Sequence, residues 1–173
     1  MESKAIICFL VGTSLLCIRA SIIPSSTLDD LLSIKGYHFH TYFDHRNTTN
    51  IEEAINFRTS IQERITSGEL KECRINFVNF LPRGPHLMGE YETCCNSTSL
   101  PAAMSFFIEN RGNLSVLFHP LTRWELLDHT KRAMFLGPPV KMDVSILSVD
   151  LFDDVDVCGD DEIEYSDINN LIL

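Results

Sequence analysis

Histidines are the residues of this 173-residue chain best suited to chemistry, because imidazole binds metals and exchanges protons near neutral pH. The chain has six: His38, His40, His45, His86, His119 and His129. His38 and His40 stand two positions apart in the aromatic-rich segment 37–43. If this segment is a strand, both imidazoles project from one face together with Tyr42. Such a His-x-His pair is either a satisfied polar surface or part of a metal site.

The elements that must position these histidines can be read from apolar spacing and turn signals. Strands are predicted over 34–43, 74–81, 87–93 and 114–119, and helices over 50–66, 100–109 and 122–135. Pro120 predicts the end of the last strand, and Thr122 and Glu125 have capping-box spacing at the start of the last helix. The order β-α-β-β-α-β predicts an α+β, ferredoxin-like fold with an additional C-terminal helix.

The strand order of a ferredoxin-like sheet brings several of these residues together. In the order 4-1-3-2 the first strand is central, with the third and fourth strands as its neighbours. This order places the paired histidines of the first strand beside Glu90 and Glu92 of the third. His119, at the end of the fourth strand, lies on their other side. Two imidazoles and a carboxylate with open positions form the ligand set of non-haem Fe(II) oxygenases.

Two further histidines depend on turns and on the last helix. His86 stands in the turn that enters the third strand. His129 follows Asp128 on the predicted third helix, where it is either the partner of a site residue or a solvent-facing side chain. An imidazole that binds no metal, with a reference pKa of about 6.5, can move protons near neutral pH.

The N-terminus predicts export. Lys4 precedes an apolar run over 5–18, and Ala20 supplies a small residue at its end, which is the pattern of a cleavable signal peptide. The run is shorter than the roughly 20 apolar residues of a membrane span, and no later segment is longer, so we expect no membrane span in the mature chain. Three glycosylation sequons begin at Asn47, Asn96 and Asn113. The expected location is secreted or in the secretory-pathway lumen.

Four cysteines remain outside the predicted signal peptide: Cys73, Cys94, Cys95 and Cys158. An even number in an oxidising compartment predicts disulfides, with three full pairings open. A hairpin turn within the segment 82–85 places Cys73 opposite Cys94, so the pairing of Cys73 with Cys94 or Cys95 is favoured.

The net charge of -10 is concentrated at the C-terminus. Nine carboxylates and no Lys or Arg stand in residues 150–173, so the rest of the chain is close to neutral. Without clustered cations, a nucleic-acid partner is not expected. Asp154, Asp156 and Gly159 match three positions of an EF-hand loop, but its bidentate Glu is missing, so a solvated tail is favoured. The predicted organisation is a signal peptide over 1–20, one domain over 21–147 and an acidic tail over 148–173.

Four separated motifs carry a resemblance to a known family. They are Tyr-His-Phe-His-Thr-Tyr-Phe-Asp at 37–44, Pro-Arg-Gly-Pro-His-Leu-Met-Gly-Glu-Tyr-Glu at 82–92, Asn-Arg-Gly-Asn-Leu-Ser-Val-Leu-Phe-His-Pro-Leu-Thr at 110–122 and Asp-His-Thr-Lys-Arg-Ala-Met-Phe-Leu-Gly at 128–137. Together, over about residues 34–147, they resemble the DOPA 4,5-dioxygenase family of fungi and bacteria. The resemblance implies a small, often self-associating domain, so that a homodimer is expected, which uses non-haem Fe(II) and O₂ to open a catechol ring.

The resemblance also implies roles for individual residues. The candidate metal ligands or near-ligands are His38, His40, His86 and His119. Glu92 competes with His86 for the third ligand position. His129 matches the Asp-His-Thr motif and is, with His40, a candidate catalytic residue. The leading hypothesis is a secreted extradiol dioxygenase with Fe(II), for which Zn(II) can substitute; the alternative is a non-catalytic secreted metal- or ligand-binding protein on the same scaffold.

Overall fold

The computed structural model describes residues 4–11, 14–21, 33–153 and 155, and the chain divides into two units, Met1–Ser33 and Ile34–Leu173. In the first unit, β1 (Lys4–Val11) pairs antiparallel with β2 (Ser14–Ser21). The signal peptide over 1–20 stays a prediction. Most of the acidic tail and the EF-hand-like positions lie outside the described residues. Within the described ranges, no helix is long and apolar enough to cross a membrane.

The second unit is built on a five-stranded antiparallel sheet. Its strands are β3 (Gly36–Phe43), β4 (Cys73–Ile75), β5 (Gly89–Cys95), β6 (Ser115–Leu121) and β7 (Met134–Leu136). Its helices are α1 (Thr48–Thr66), α2 (Leu100–Asn110) and α3 (Glu125–His129), followed by a 3-10 turn over Val144–Ile146. The strand order β4-β5-β3-β6-β7 confirms the predicted ferredoxin-like arrangement and adds a fifth strand beside β6.

The hydrophobic core lies between one face of this sheet and the helices α1 and α2. Alternation along β3 sends Phe39 and Phe43 to this face, where both are buried. The Phe39 ring stacks on Phe107 of α2, with ring centroids 4.4 Å apart. The Tyr91 hydroxyl of β5 donates to the backbone oxygen of Ala54 in α1 at 3.1 Å, which anchors that helix. The same alternation leaves the even-numbered residues of β3 on the opposite face.

Strand β6 does not end at Pro120, as the sequence predicted. It continues to Leu121, with Pro120 opposite Tyr37 of β3. On the other side of β6, β7 pairs only with Val116–Phe118. Proline lacks an N–H and is tolerated where one side of a strand has no partner. The extra residues carry the strand past His119 and fix its position within regular sheet structure.

The third helix is much shorter than the predicted segment 122–135. Only Glu125–His129 is helical, and Met134–Leu136 forms β7 instead. Thr122 does not form a capping box with Glu125, because its hydroxyl and N–H both bind the carboxylate of Asp128. The Glu125 carboxylate accepts from the backbone N–H of Ser148. The helix ends at His129, and the chain returns as β7, which pairs with β6.

The β4–β5 hairpin brings two cysteines into contact. Cys73 faces Cys95 and forms a disulfide with it, which is one of the two pairings that the sequence favoured. The strand register is displaced by one residue from the predicted one, in which Cys94 faced Cys73. Cys94 is also disulfide-bonded. β4 is shorter than predicted, ending at Ile75, with a single further bridge between Asn79 and Glu90.

Candidate metal centre

The sheet face opposite the core carries the polar residues that the sequence singled out. The β3–β6 register sets His38 directly opposite His119, with ring centroids 5.2 Å apart. The β3–β5 register sets His40 opposite Glu92 and Tyr42 opposite Glu90. Side chains of directly paired residues lie on the same face, so three strands deliver their polar groups to one place.

Three histidines from β3 and β6 form a first group. The ring nitrogens that His38, His40 and His119 offer lie within 4.8 Å of one another. The two Nε2 atoms of His40 and His119 are 3.2 Å apart. Nε2 of His38 is buried and has no hydrogen-bond partner within the described part of the chain. A buried polar atom without a partner is costly unless something binds it, and a metal ion would satisfy it.

A second histidine group shares His40 with the first. The ring nitrogens offered by His40, His86 and His129 also lie within 4.8 Å of one another. His86 comes from the turn before β5 and His129 from the last residue of α3. The His129 ring lies 4.1 Å from that of His119, centroid to centroid. We call these five side chains, His38, His40, His86, His119 and His129, the histidine cluster.

Hydrogen bonds orient several rings of the cluster. Nδ1 of His119 lies 2.8 Å from the carbonyl oxygen of Pro120, and Nδ1 of His129 lies 3.0 Å from that of Glu125. A carbonyl oxygen only accepts, so each Nδ1 carries a proton, and in the neutral ring Nε2 carries the lone pair. This arrangement fixes the ring orientation of metal-ligating histidines in general.

The carboxylates of Glu90 and Glu92 contact the histidines of β3. One carboxylate oxygen of Glu92 lies 3.2 Å from Nδ1 of His38 and 3.7 Å from Nε2 of His40. A carboxylate oxygen of Glu90 lies 3.3 Å from Nδ1 of His40. By accepting from Nδ1 of His38, Glu92 leaves the unpartnered Nε2 of that ring as its lone-pair atom.

The environment keeps the imidazoles of His38, His40, His86 and His119 neutral. Burial, reinforced by the neighbouring imidazoles, lowers the pKa of His38 to about 3 and that of His86 to about 4. Burial also holds the pKa values of His40 and His119 well below the usual value. Neutral imidazole is the form that binds metals, so no proton has to leave these rings first. Burial, followed by the charge of Glu90, raises the pKa of Glu92 to about 7.

A cavity of about 280 Å³ leads to the cluster. It is lined by His40, Asn76, Phe77, Asn79, Arg83, Gly84, His86, Glu90 and Glu92. His40 and His86 are both buried, yet both form part of its wall. A larger cavity of about 530 Å³ borders α1 and the end of α2, and no histidine lines it. The smaller cavity is therefore the route by which a small molecule could reach the imidazoles.

Comparison with known proteins places this site in a family. The family model described as the Dopa 4,5-dioxygenase family matches residues 37–146, well over half of the chain. The chain belongs to the Dopa 4,5-dioxygenase family. The match includes all five members of the histidine cluster and both carboxylates behind them.

Individual proteins that are similar to this chain support its membership in the dioxygenase family. A DOPA 4,5-dioxygenase of Amanita muscaria is 34% identical over 73% of this chain and 56% of its own length. An uncharacterized 21.2 kDa protein of Botryotinia fuckeliana is 32% identical over 66% of this chain and 64% of its own. The chain thus spans just over half to under two thirds of these relatives' lengths. A crystal structure from Nostoc punctiforme, provisionally described as a dioxygenase, matches with a TM-score of 0.57 and 25% identity over 65% of this chain and 90% of its own.

The structure shows how the site residues predicted for this dioxygenase-family chain are arranged. All six, His38, His40, His86, His119, His129 and Glu92, lie together. His40, predicted to be catalytic, belongs to both histidine groups, whereas His86 groups with His40 and His129 and not with His38. Glu92 contacts two of the rings but belongs to neither group. Which nitrogens bind a metal stays a prediction.

Two contributors to the site were given no role by the sequence. The Tyr42 hydroxyl shares a 2.7 Å hydrogen bond with Nδ1 of His86, and burial raises the pKa of Tyr42, so it stays protonated. The sequence signal for Tyr42 was its position four residues after His38, which places both side chains on the same face of the strand. Arg83 lies in the cavity wall, and no local pattern distinguishes it from a turn residue.

Asp128 holds in place the segment that delivers His129. Its buried carboxylate accepts from the N–H and hydroxyl of Thr122, at 2.7 and 2.8 Å, and from Arg132 at 2.9 Å. Replacing Asp128 with alanine is expected to lower the free energy of unfolding by about 3–5 kcal/mol, because it leaves these donors without their buried partner. Urea unfolding measures this change.

The control for this prediction is an exposed aspartate. Asp150→Ala, at a position where the side chain is exposed, is expected to change the free energy of unfolding by less than about 0.5 kcal/mol. Asp128→Asn keeps one acceptor and should fall between the two. Equal effects of Asp128→Ala and Asp150→Ala would contradict a structural role for Asp128.

Proposed function

We propose that this protein is a metal-dependent extradiol dioxygenase that opens the ring of a catechol with O₂. The proposal is carried by the three converging ring nitrogens of His38, His40 and His119, together with the buried Nε2 of His38, which has no hydrogen-bond partner in the described part of the chain. Membership in the Dopa 4,5-dioxygenase family supplies the reaction class. The similar DOPA 4,5-dioxygenase is longer than the region that this chain matches. We therefore infer the activity of this chain from its site and its family.

The first histidine group suits a divalent metal. Neutral imidazoles are ligands for iron, zinc, copper and nickel, and the low pKa values of this group keep it neutral. His38, His40 and His119 would hold the ion, with Glu92 accepting from Nδ1 of His38. Fe(II) held by these residues would supply the redox chemistry between catechol and O₂. Zn(II) fits the same nitrogens but has no redox chemistry.

The remaining residues of the cluster act on the substrate. His129 has its Nδ1 proton committed to a backbone carbonyl, so its Nε2 can accept a proton from a catechol hydroxyl. Tyr42 orients the His86 ring, which lines the cavity. Burial of His40 and His119 keeps bulk water away from the reacting groups.

The cavity sets the size of the substrate. At about 280 Å³ it lies just below the ~300–1,000 Å³ typical of sites for drug-sized ligands, so it suits a single ring with a short side chain. A catechol placed with its hydroxyls toward the histidines would meet His40 and His86 at the cavity wall. Polycyclic substrates are not expected to enter.

The test combines metal analysis with oxygen uptake. The full chain, loaded with Fe(II) under nitrogen, is mixed with catechols, and O₂ consumption and product mass are recorded. We expect consumption that depends on the catechol and a product with the mass of substrate plus two oxygen atoms. The product structure separates cleavage beside the two hydroxyls from cleavage between them. Stoichiometric iron without oxygen uptake would instead support a non-catalytic metal-binding protein.

We also propose that the chain is secreted. The disulfide between Cys73 and Cys95 supports this proposal, because disulfides persist in oxidising compartments. The sequon residues Asn47 and Asn113 are exposed, as glycosylation requires. Expression in a secreting eukaryotic host should release the protein into the culture medium. Its N-terminus should begin after Ala20, and its mass should fall after glycosidase treatment. Retention in the cytosol with residues 1–20 intact would refute secretion.

A further inference from the structure

We propose that a disulfide between Cys94 and Cys158 ties the acidic C-terminal segment across the open sheet face, beside the histidine cluster. Residues 153–158, here called the strap, would then be held against the sheet, whereas the sequence favoured a tail that extends into solvent. The bond does not depend on the proposed reaction, so the two can be tested separately.

Cys94 is disulfide-bonded, and one cysteine of the mature chain remains as its partner. The whole chain has six cysteines: Cys8, Cys17, Cys73, Cys94, Cys95 and Cys158. Cys73 and Cys95 are bonded to each other. The first two stand opposite each other in the pairing of β1 with β2, and both lie within the predicted signal peptide, which a mature chain lacks. The partner left for Cys94 is therefore Cys158.

Cys94 lies on the face of the sheet that carries the histidine cluster. The β3–β5 register sets Cys94 directly opposite His38, so both side chains project from the open face. Cys94 is also fully buried. The Cα atoms of a disulfide are usually about 4.4–6.8 Å apart, so a residue bonded to a buried cysteine must itself approach the sheet. A bond to Cys94 therefore brings the strap next to His38.

The chain before the strap ends within reach of Cys94. Phe152 donates its backbone N–H to the oxygen of Arg123, at 3.0 Å, four residues past His119 of β6. His119 and Cys94 are both level with His38, on the strands to either side of it. With strands about 4.8 Å apart and a rise of about 3.3 Å per residue, the gap from Arg123 to Cys94 is about 16 Å. Six extended residues span up to about 20 Å, so the strap is long enough if it crosses β3 over the open face.

Charge favours the same path. Arg74 of β4 stands opposite Cys94, and its Nε is buried without a hydrogen-bond partner in the described part of the chain. Val155 of the strap is half-buried, which agrees with a segment that lies against the protein. A carboxylate near Cys158 would supply a charge-assisted partner for the guanidinium. The candidates stand within and just after the strap: Asp153, Asp154, Asp156, Asp160 and Asp161.

Formation of the bond is a two-electron oxidation. The thiols of Cys94 and Cys158 together lose two protons and two electrons, and one S–S bond forms between them. A small-molecule disulfide such as oxidised glutathione takes up these protons and electrons, its own S–S bond breaks, and two thiols are released. The reverse exchange with reduced glutathione frees the strap. The proposed secretion would place the chain where such disulfides persist.

Disulfide mapping tests the bond directly. The full chain, purified without reductant, is alkylated in denaturant, deglycosylated and digested with trypsin, which leaves Cys158 in fragment 142–173 and Cys94 with Cys95 in fragment 84–111. We expect the wild type to carry no label and these two fragments to be joined. In Cys158→Ser we expect one label, at Cys94, and in the control Ser166→Ala none.

Three results of the mapping would overturn the proposal. The first is a labelled Cys158 in the wild type, which would show a free thiol. The second is a label at Cys95 in place of Cys94 in Cys158→Ser. The third is a disulfide-linked dimer in which Cys158 joins two copies of the chain. None of these results depends on metal binding or oxygen uptake, so the proposed function stands or falls separately.

Docking of the strap beside Arg74 is tested by the stability of the bond. The protein is equilibrated with mixtures of reduced and oxidised glutathione, and the labelled fraction of Cys158 gives the equilibrium constant. We expect Arg74→Gln to lower this constant roughly 10-fold, because a charge-assisted hydrogen bond is lost. Salt at about 1 M should bring the wild type closer to the variant.

A neighbouring lysine supplies the matched control for Arg74. Lys71 is exposed and lies three positions before Arg74, so Lys71→Gln removes the same charge from a nearby surface. We expect it to change the equilibrium constant by less than about 3-fold. A fall that is confined to Arg74→Gln supports docking beside Arg74. Equal constants in the two variants would overturn it.

Discussion

Replacing His119 with alanine is expected to abolish stoichiometric metal binding and, with it, oxygen uptake. Nε2 of His119 lies 3.2 Å from that of His40, and ring nitrogens of His38, His40 and His119 lie within 4.8 Å of one another. Loss of a group that only supports a ligand typically costs 10- to 100-fold in metal affinity, so loss of the ligand itself should cost more than ~100-fold. Metal content after desalting, and competition with a chelator, measure the change.

The control for His119 is a histidine outside the cluster. His45 belongs to neither histidine group of the described residues, and His45→Ala should leave the metal content at the wild-type value. Because His119 is fully buried, His119→Gln, which fills more of its volume, should be examined beside the alanine variant. Folded His119→Gln protein that keeps full metal stoichiometry and affinity would remove His119 from the ligand set.

The replacement His129→Gln is expected to lower kcat by about 10²- to 10⁴-fold while leaving the metal content near that of the wild type. This is the range in which a positioned acid or base contributes to catalysis. The Nδ1 proton of His129 is held by the carbonyl oxygen of Glu125, so only Nε2 is available to the substrate. Glutamine can donate and accept hydrogen bonds but does not take up a proton near neutral pH.

Metal content decides between two readings of His129. It belongs to the group with His40 and His86, and its ring lies beside that of His119, so it could bind the metal itself. Loss of metal in His129→Gln would show that it is a ligand. Retained metal with unchanged kcat would show that it has neither role. The His119 and His129 variants, measured together, therefore separate the group that holds the metal from the group that moves the proton.

Most of the fold could be predicted from local patterns. Alternation along β3 separates Phe39 and Phe43 from His38 and His40, and the apolar spacing in 50–66 matches α1. Gly112, with a positive φ of 59°, follows α2 where the sequence indicated a stop. Each of these patterns involves residues only a few positions apart, so it can be recognised in the sequence without knowledge of the tertiary structure.

The errors occur where distant residues override local preference. The segment 122–135 has helical spacing, but the chain leaves the helix after His129 because Glu125 accepts from Ser148 and Met134–Leu136 pairs with β6. Pro120 stays within β6 because β7 does not reach it. The pairing of Cys73 with Cys95 follows from a strand register that differs by one residue from the predicted one. Register and hydrogen bonds across tens of residues are not visible in local spacing.

The sequence by itself determined which side chains are available for chemistry and which sheet face they share, because strand alternation is a local property. It placed His38, His40, His119 and Glu92 on one face through the predicted strand order. Only the tertiary structure decided which ring nitrogens converge, how α3 brings His129 beside His119, and where Arg83 meets the cavity. Distances of a few ångströms between strands and turns are set by register and packing, and these depend on the whole domain.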